Sequence, residues 1–545
     1  MAATPSAFPA IEEVLDSLDP EQRAAASLPD GPAQIIAPAG SGKTTTMVAH
    51  LGVLLSRGVP ADRICVVTFN RDAARDLAAR VERKLGGSIG EGTAIEIRTL
   101  HALARQVLLG AGEGRDIVAD RLPLIRAARR RVAATTTEPL HEPAQLDTWL
   151  SAWKVEGRDP PPEVLPTLET YAKLLRDRGA VDFDDLVVRA AELLATDPRT
   201  RLAWQSRFSH VCVDEFQDVD AAQLRLVRLL AAPEDNLFVV GDDDQTIYAW
   251  RLADVRRILR FADDYPSAHR VMLATNYRCP AGVIEASARM VAVNRERFYK
   301  PIRPPAGAES SADDIVAVST AEPGWTDAMA AFAATEAAAD RSVCFLSRTR
   351  SELMPIVLAL VRASIRHATT MPLAADAEPV ATLVDALRVG SHDAHPFNAL
   401  HELRSKRGWS RVDPAADDLS GEDSAALDAL LGWSIGFDDT AAFVAAFDAA
   451  RARLAALRDP SAPVELATVH GSKGREWQTV VLIGFEADRI PNRRSLVDAV
   501  DAGRAMEEER RLAYVALTRA TRQLVLAFDP ARPSPFLAEM GYATR

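Results

Sequence analysis

Short apolar runs alternate with longer amphipathic stretches along this chain, which predicts strands separated by helices. The first runs are Gln34–Ala37, Ile64–Val67, Val211–Val213 and Leu237–Val240, each followed by a polar loop. A second series follows residue 278: Ile315–Val318, Val343–Leu346, Glu465–Thr468, Val480–Ile483 and Leu524–Phe528. Strands alternating with helices form parallel α/β sheets, so two such sheets are expected. Residues 102–200 read as helical, notably through VDFDDLVVRAAELL, and interrupt the first series. Residues 366–460 are Ala- and Asp-rich and interrupt the second, with helical pieces at Glu422–Leu431 and Thr440–Leu457. No short-period repeat is evident.

Composition narrows this picture without redirecting it. A chain of 545 residues is too long for one core and implies several domains. Apolar content of 48% and charged content of 26% suit a soluble globular protein. No segment approaches the roughly 18 apolar residues of a membrane span, and the N-terminus lacks the basic and apolar regions of a signal peptide. Cys65, Cys212, Cys279 and Cys344 are far apart, with no CxxC spacing, so a reduced cytosolic protein is expected. The net charge of −12 argues against a generally basic nucleic-acid binder. It leaves room for a groove that holds single strands by local positive charge and aromatic stacking.

The polar loops carry the candidate chemistry. After the first strand comes APAGSGKTTT (37–46), then a helix-like run. In that setting loop N–H groups cradle phosphates, Lys43 reaches the β- and γ-phosphates, and the Thr44 hydroxyl ligates Mg²⁺. Ala37 stands where the general pattern has Gly. Asp214 and Glu215 end the run VCV, where one carboxylate can hold the Mg²⁺ shell and the other can activate a water. Tyr248 and Trp250 are two residues apart and share one face of an extended segment, as a base-stacking pair would. His392, His395 and His401 cluster in sequence, but their spacing suits no standard zinc site and reads as a solvated loop.

Six segments in order, APAGSGKTTT, HVCVDEFQD (210–218), GDDDQTIYAWR (241–251), TNYRCP (275–280), VHGSKGREW (469–477) and YVALTRA (514–520), resemble the superfamily 1A DNA helicases of the UvrD/Rep/PcrA type. The resemblance runs from Leu18 to about Phe528 and weakens between roughly 366 and 460. It implies two RecA-like parallel-sheet P-loop domains, each with a largely helical insertion. The first would be 1–101 with 201–275, interrupted by 102–200. The second would be 276–365 with 461–545, interrupted by a reduced insertion at 366–460, a region usually much larger in the family.

The resemblance also implies roles. Ala39, Gly40, Ser41 and Gly42 would line the phosphates with Lys43 and Thr44. Gln22 matches the adenine-reading Gln, the alternative being an exposed helix-start residue. Tyr277 matches the aromatic that stacks on adenine, while Thr45 stands where the family often has Arg. Gln245 and Arg251 match γ-phosphate sensors, Arg278 and Arg519 the arginines that reach that phosphate from the second sheet region, and Glu476 the acid on the ribose. Phe69, His101, Tyr248, Trp250 and His470 match DNA contacts, with a core aromatic as the alternative for Phe69. Asn70-Arg71-Asp72 replaces the family's usual Thr-Asn-Lys, which predicts a weaker grip there.

The expected activity is an ATP- and Mg²⁺-dependent 3′→5′ translocase and helicase on single-stranded DNA and single/double-strand junctions, in the cytoplasm or on the nucleoid. Two alternatives remain: an ATPase subunit beside a nuclease or repair partner, including anti-phage complexes, and a nucleotide-switched DNA-binding scaffold. The residues after Arg519 are too few for a nuclease domain, so none is expected on this chain.

Overall fold

The computed structural model describes residues 9–542, apart from 90–92, 136–140, 370–375, 391–394, 410–420 and 498. It divides into two compact units. The first takes in residues up to Glu138, Gln145–Arg278 and Asn294–Ala306, and the second is built mainly from Cys279–Val293 and the chain from Gly307 onward.

In the first unit the strands are β1 (Ala33–Ile36), β2 (Ile64–Thr68), β3 (Glu96–Thr99), β4 (Asp116–Ile117), β5 (Ala180–Val181), β6 (His210–Val213), β7 (Leu237–Gly241) and β8 (His269–Met272). Six of them make a sheet of order β3-β2-β6-β7-β1-β8, and every pairing is parallel. β1, β6 and β7 are buried along their whole length, which explains why the sequence shows them as unbroken apolar runs. The edge strands β3 (EIRT) and β8 (HRVM) escaped the sequence reading because an exposed edge tolerates charge. Helices Leu100–Gly110 and Phe183–Thr196 pack on this sheet through Leu103, Val107, Leu186 and Ala190. Between them, helices Leu122–Ala133, Pro143–Glu156 and Leu165–Asp177 share a separate core that includes Leu124, Leu150, Leu168 and Tyr171.

The second unit holds β9 (Ile315–Ser319), β10 (Val343–Ser347), β11 (Ala368–Thr369), β12 (Val464–Thr468), β13 (Trp477–Ile483) and β14 (Ala520–Phe528). Their order is β11-β12-β10-β13-β14-β9, again all parallel. Both sheets expected from the apolar runs are therefore present, as an α/β fold with helical insertions. The insertion in the second unit contributes helices Glu378–Val389, Pro396–Lys406, Gly421–Ser434 and Thr440–Leu457 around a core of their own. That core includes Leu383, Leu400, Leu427 and Phe443, and Leu454 near the end of the last helix joins the core of the sheet.

His395 caps the helix Pro396–Lys406 and the His401 ring stacks on Phe397. His392 lies outside the described residues. All four cysteines are buried. Among the described residues no helix is long and apolar enough to cross a membrane.

Candidate functional site

The turn after β1 is shaped by two glycines in the left-handed region, Gly40 (φ +69°) and Gly42 (φ +83°). Neither position admits a side chain. A Cβ at Gly40 would lie 2.2 Å from Asn276 Oδ1, and one at Gly42 would lie 2.5 Å from Gln22 Nε2. Helix Lys43–Ser56 then starts from Gly42 with no side-chain cap and no acid in its first turn. Its first N–H groups are thus left for an anion, with Thr44 and Thr45 beside them. The Lys43 ammonium folds back over the loop and donates to the Ala37 carbonyl at 3.1 Å, and the Ser41 hydroxyl donates to Pro38 at 2.7 Å.

Gln22 is buried at the start of helix Pro20–Ala26. It completes a capping box with Asp19, and its amide donates to the Ser41 carbonyl at 2.9 Å. Tyr277 stands on the same unit, half exposed. Its N–H donates to Gly40 at 2.9 Å and its hydroxyl to Asp19 at 2.8 Å. Burial and the Asp19 carboxylate raise the phenol above its usual range. Arg278, expected in the second sheet region, is instead the last residue of the first unit before the chain leaves it. The Tyr277–Gly40 bond and the close fit of Asn276 against Gly40 hold it there.

β6, β7 and β1 are neighbours in the sheet, so Asp214, Asp242 and the glycine turn follow three adjacent strands at their carboxyl ends. Asp214 is buried and accepts from the Glu215 N–H at 3.0 Å. Glu215 has φ +52° and ψ +44°, a left-handed backbone that costs a non-glycine residue about 1–3 kcal/mol. Gln217 bridges from here to the next strand. It donates to Glu215 Oε2 at 2.5 Å and accepts from the Asp242 N–H at 2.9 Å. Asp242 Oδ2 in turn accepts from Gln245 Nε2 at 2.7 Å.

Asp242, Asp243 and Asp244 are the one group among the described residues whose carboxylates converge as metal ligands do. The Lys300 ammonium occupies that position, 3.1 Å from Asp242 and 2.8 Å from Asp244 and bonded also to Asp243. Burial pushes Asp243 up to about 6, against the pull of Lys300.

A row of aromatic rings lies beyond this turn. Phe69, after β2, stacks on Tyr248 with ring centres 4.7 Å apart and planes at 20°. Tyr248 meets Trp250 edge to face at 6.3 Å, and Trp250 is 54% exposed. Phe69 is half-buried in this row and outside the central core. Arg251, expected with Gln245 as a γ-phosphate sensor, has its guanidinium 4.7 Å over the Trp250 ring. His101 packs edge-on to Phe183 at 5.6 Å, and burial lowers its pKa, opposed by Asp184 and aided by Arg251.

In the second unit, Arg519 is buried. It donates to the carbonyls of Val515 at 2.9 Å and Arg475 at 3.2 Å. Glu476 is exposed next to Arg475, which is held by a two-pronged pair to Glu465 at 2.5 and 2.6 Å. His470 opens a short turn after β12.

Residues 18–266 match the UvrD/REP helicase N-terminal domain, and residues 448–529 match the UvrD-like helicase C-terminal domain. The chain belongs to the UvrD/Rep helicase family. It is similar over 97% of its length to the ATP-dependent DNA helicase PcrA of Leuconostoc citreum, at 27% identity and covering 85% of that protein. DNA helicase II of Escherichia coli is 25% identical over 97% of this chain and 88% of its own, and UvrD2 of Mycobacterium bovis is 26% identical over 98% and 83%. The PcrA alignment runs over 652 positions, more than this chain has, so that relative carries internal segments absent here.

Four residues of this UvrD-type chain escaped the sequence reading: Gln217, Asn276, Arg297 and Lys300. Gln217 and Asn276 sit inside recognised segments and could have been singled out as buried amides. Arg297 and Lys300 lie in RERFYK, where nothing local tells a buried cation from a solvated one.

Proposed function

We propose that this chain is an ATP- and Mg²⁺-dependent motor. It moves 3′→5′ along single-stranded DNA and opens duplex at single/double-strand junctions, in the cytoplasm or on the nucleoid. The observation that carries this reading is the join between Glu215, Gln217, Asp242 and Gln245, set beside the glycine turn of Lys43. The polarity follows the family resemblance.

In this reading Gln22 and Tyr277 hold the adenine, and the N–H groups of Ala39–Thr44 hold the phosphates with Lys43. The Thr44 hydroxyl and Asp214 carboxylate are hard oxygen donors that suit Mg²⁺, which when bound offsets charge on the phosphate oxygens. Glu215 orients the attacking water and takes its proton. Gln245 senses the γ-phosphate, and Lys43, Arg278 and Arg519 meet the charge that develops as the bond to it breaks. Glu476 takes the ribose. The row Phe69, Tyr248, Trp250 offers π faces to any base, with Arg251 and His101 beside it and His470 on the second unit. Closure of two domains on each ATP then advances the strand.

The test is ATP hydrolysis with and without single-stranded DNA, followed by strand separation on duplexes with a 3′ or a 5′ tail. Hydrolysis should rise strongly with single-stranded DNA, and only the 3′-tailed duplex should open. Hydrolysis indifferent to DNA would refute the motor reading, and opening from the 5′ tail alone would reverse the polarity.

A further inference from the structure

Residues Asn294–Ala306 belong to the first unit, although the chain on both sides of them, Cys279–Val293 and from Gly307 onward, belongs to the second. This strap is fastened in two places. Near its end, Arg303 exchanges backbone hydrogen bonds with Ala274 (3.0 Å) and Asn276 (2.9 Å), directly before Tyr277. Its middle is fastened to the turn after β7. Arg297 holds Asp244 through two parallel bonds of 3.0 and 2.7 Å, and the Phe298 N–H donates to Asp243 at 2.8 Å. The fully buried Lys300 ammonium reaches all three carboxylates of Asp242–Asp244.

A buried charge persists only where it is paired and hydrogen-bonded, and removing one partner strands the other. The three acids therefore hold their places through Lys300 and Arg297. Asp242 also orients Gln245 through its Oδ2 and the Glu215–Gln217 pair through its N–H. From the Lys300–Asp242 ion pair, Gln245 is thus one hydrogen bond away and Glu215 two.

We propose that Lys300, supported by Arg297, is a positioning residue for ATP hydrolysis. It locks the Asp242–Gln245 turn, and through Gln217 the Glu215 carboxylate, to a strap joined at both ends to the second unit. The strap then conveys movement of the second unit to the hydrolytic groups of the first. This role rests on the ATPase reading proposed above.

The test uses the full-length double variant Lys300→Met/Asp243→Asn, which removes one charge of each sign and leaves the net charge of the buried cluster unchanged. Its melting temperature should stay near that of the parent and its KM for ATP within about threefold, while DNA-stimulated kcat falls at least about tenfold. A folded double variant with kcat within about threefold of the parent overturns the proposal. If the double variant does not fold, Arg297→Lys takes its place, keeping the charge but giving up the two-pronged grip on Asp244. It should lose about three- to tenfold in kcat at unchanged KM, and an unchanged kcat overturns the proposal. Parent protein whose hydrolysis ignores single-stranded DNA would defeat the motor reading itself, and the positioning role with it.

Discussion

The two sheets share an all-parallel architecture of six strands, yet they carry their candidate residues at opposite ends. In the first, the glycine turn, Asp214–Glu215 and Asp242–Gln245 all follow the carboxyl ends of β1, β6 and β7. In the second, Glu476 and Arg519 immediately precede the amino ends of β13 and β14, and only His470 follows a carboxyl end, that of β12. The difference has a simple electrostatic source. Carboxyl ends of parallel strands lead into helix N-termini, where unpaired N–H groups gather and favour an anion. Amino ends receive the C-termini of helices, which favour cations. Arg519 comes two residues after helix Ala502–Leu517 and is held by the carbonyls of Val515 and Arg475. One sheet offers backbone N–H groups and carboxylates, and the other offers the buried cation of Arg519, whereas the exposed acid Glu476 does not follow from the helix dipoles.

The largest effect should come from the first sheet. Glu215→Gln keeps the shape of the side chain and removes its base, so ATP should still bind while turnover falls by about a thousandfold or more. A binding measurement beside a steady-state ATPase assay checks this. Substantial DNA-stimulated turnover would remove Glu215 from the chemistry.

Arg519→Lys probes the second sheet. It keeps the positive charge but cannot reproduce the bonds to two carbonyls, and it should lower DNA-stimulated kcat by about a hundredfold. Because Arg519 is buried, a melting curve must accompany the rate. A stable variant with full turnover would leave the amino-end cation with a structural role only, and the comparison between the sheets would lose its functional half.

Trp250→Ala tests the aromatic row, which belongs to the first unit but not to its phosphate end. Stacking on one base contributes about 1–3 kcal/mol, so affinity for single-stranded DNA should drop about tenfold with basal hydrolysis unchanged. The exposed ring predicts little loss of stability, and a variant that unfolds would reassign Trp250 to the core.

The smallest effect is expected from Thr45→Arg. Thr45 is exposed at the start of the phosphate-facing helix, and an arginine there would give the adenine a second stacking face opposite Tyr277. KM for ATP should fall about threefold with kcat unchanged. An unaltered KM would mean that the base does not lie between these two positions.

The sequence alone determined the two parallel sheets, because strands buried on both faces must read as short apolar runs, as β1, β6, β7, β10 and β13 do. It also placed Gly40, Gly42, Lys43, Asp214 and Glu215 at strand ends, since each lies within a few residues of the strand that positions it. Edge strands β3 and β8 were not legible, because exposure relaxes the pattern that marks a strand. Only the tertiary structure decided that Arg278 belongs with the first unit and that Arg251 lies over the Trp250 ring. The same holds for Gln217 as the link between two strand ends and for Lys300 as the ammonium filling a site of three carboxylates. The physical reason is range. A strand or phosphate loop is specified by neighbours in sequence, whereas the burial of a charge depends on partners that chain crossings bring from more than fifty residues away.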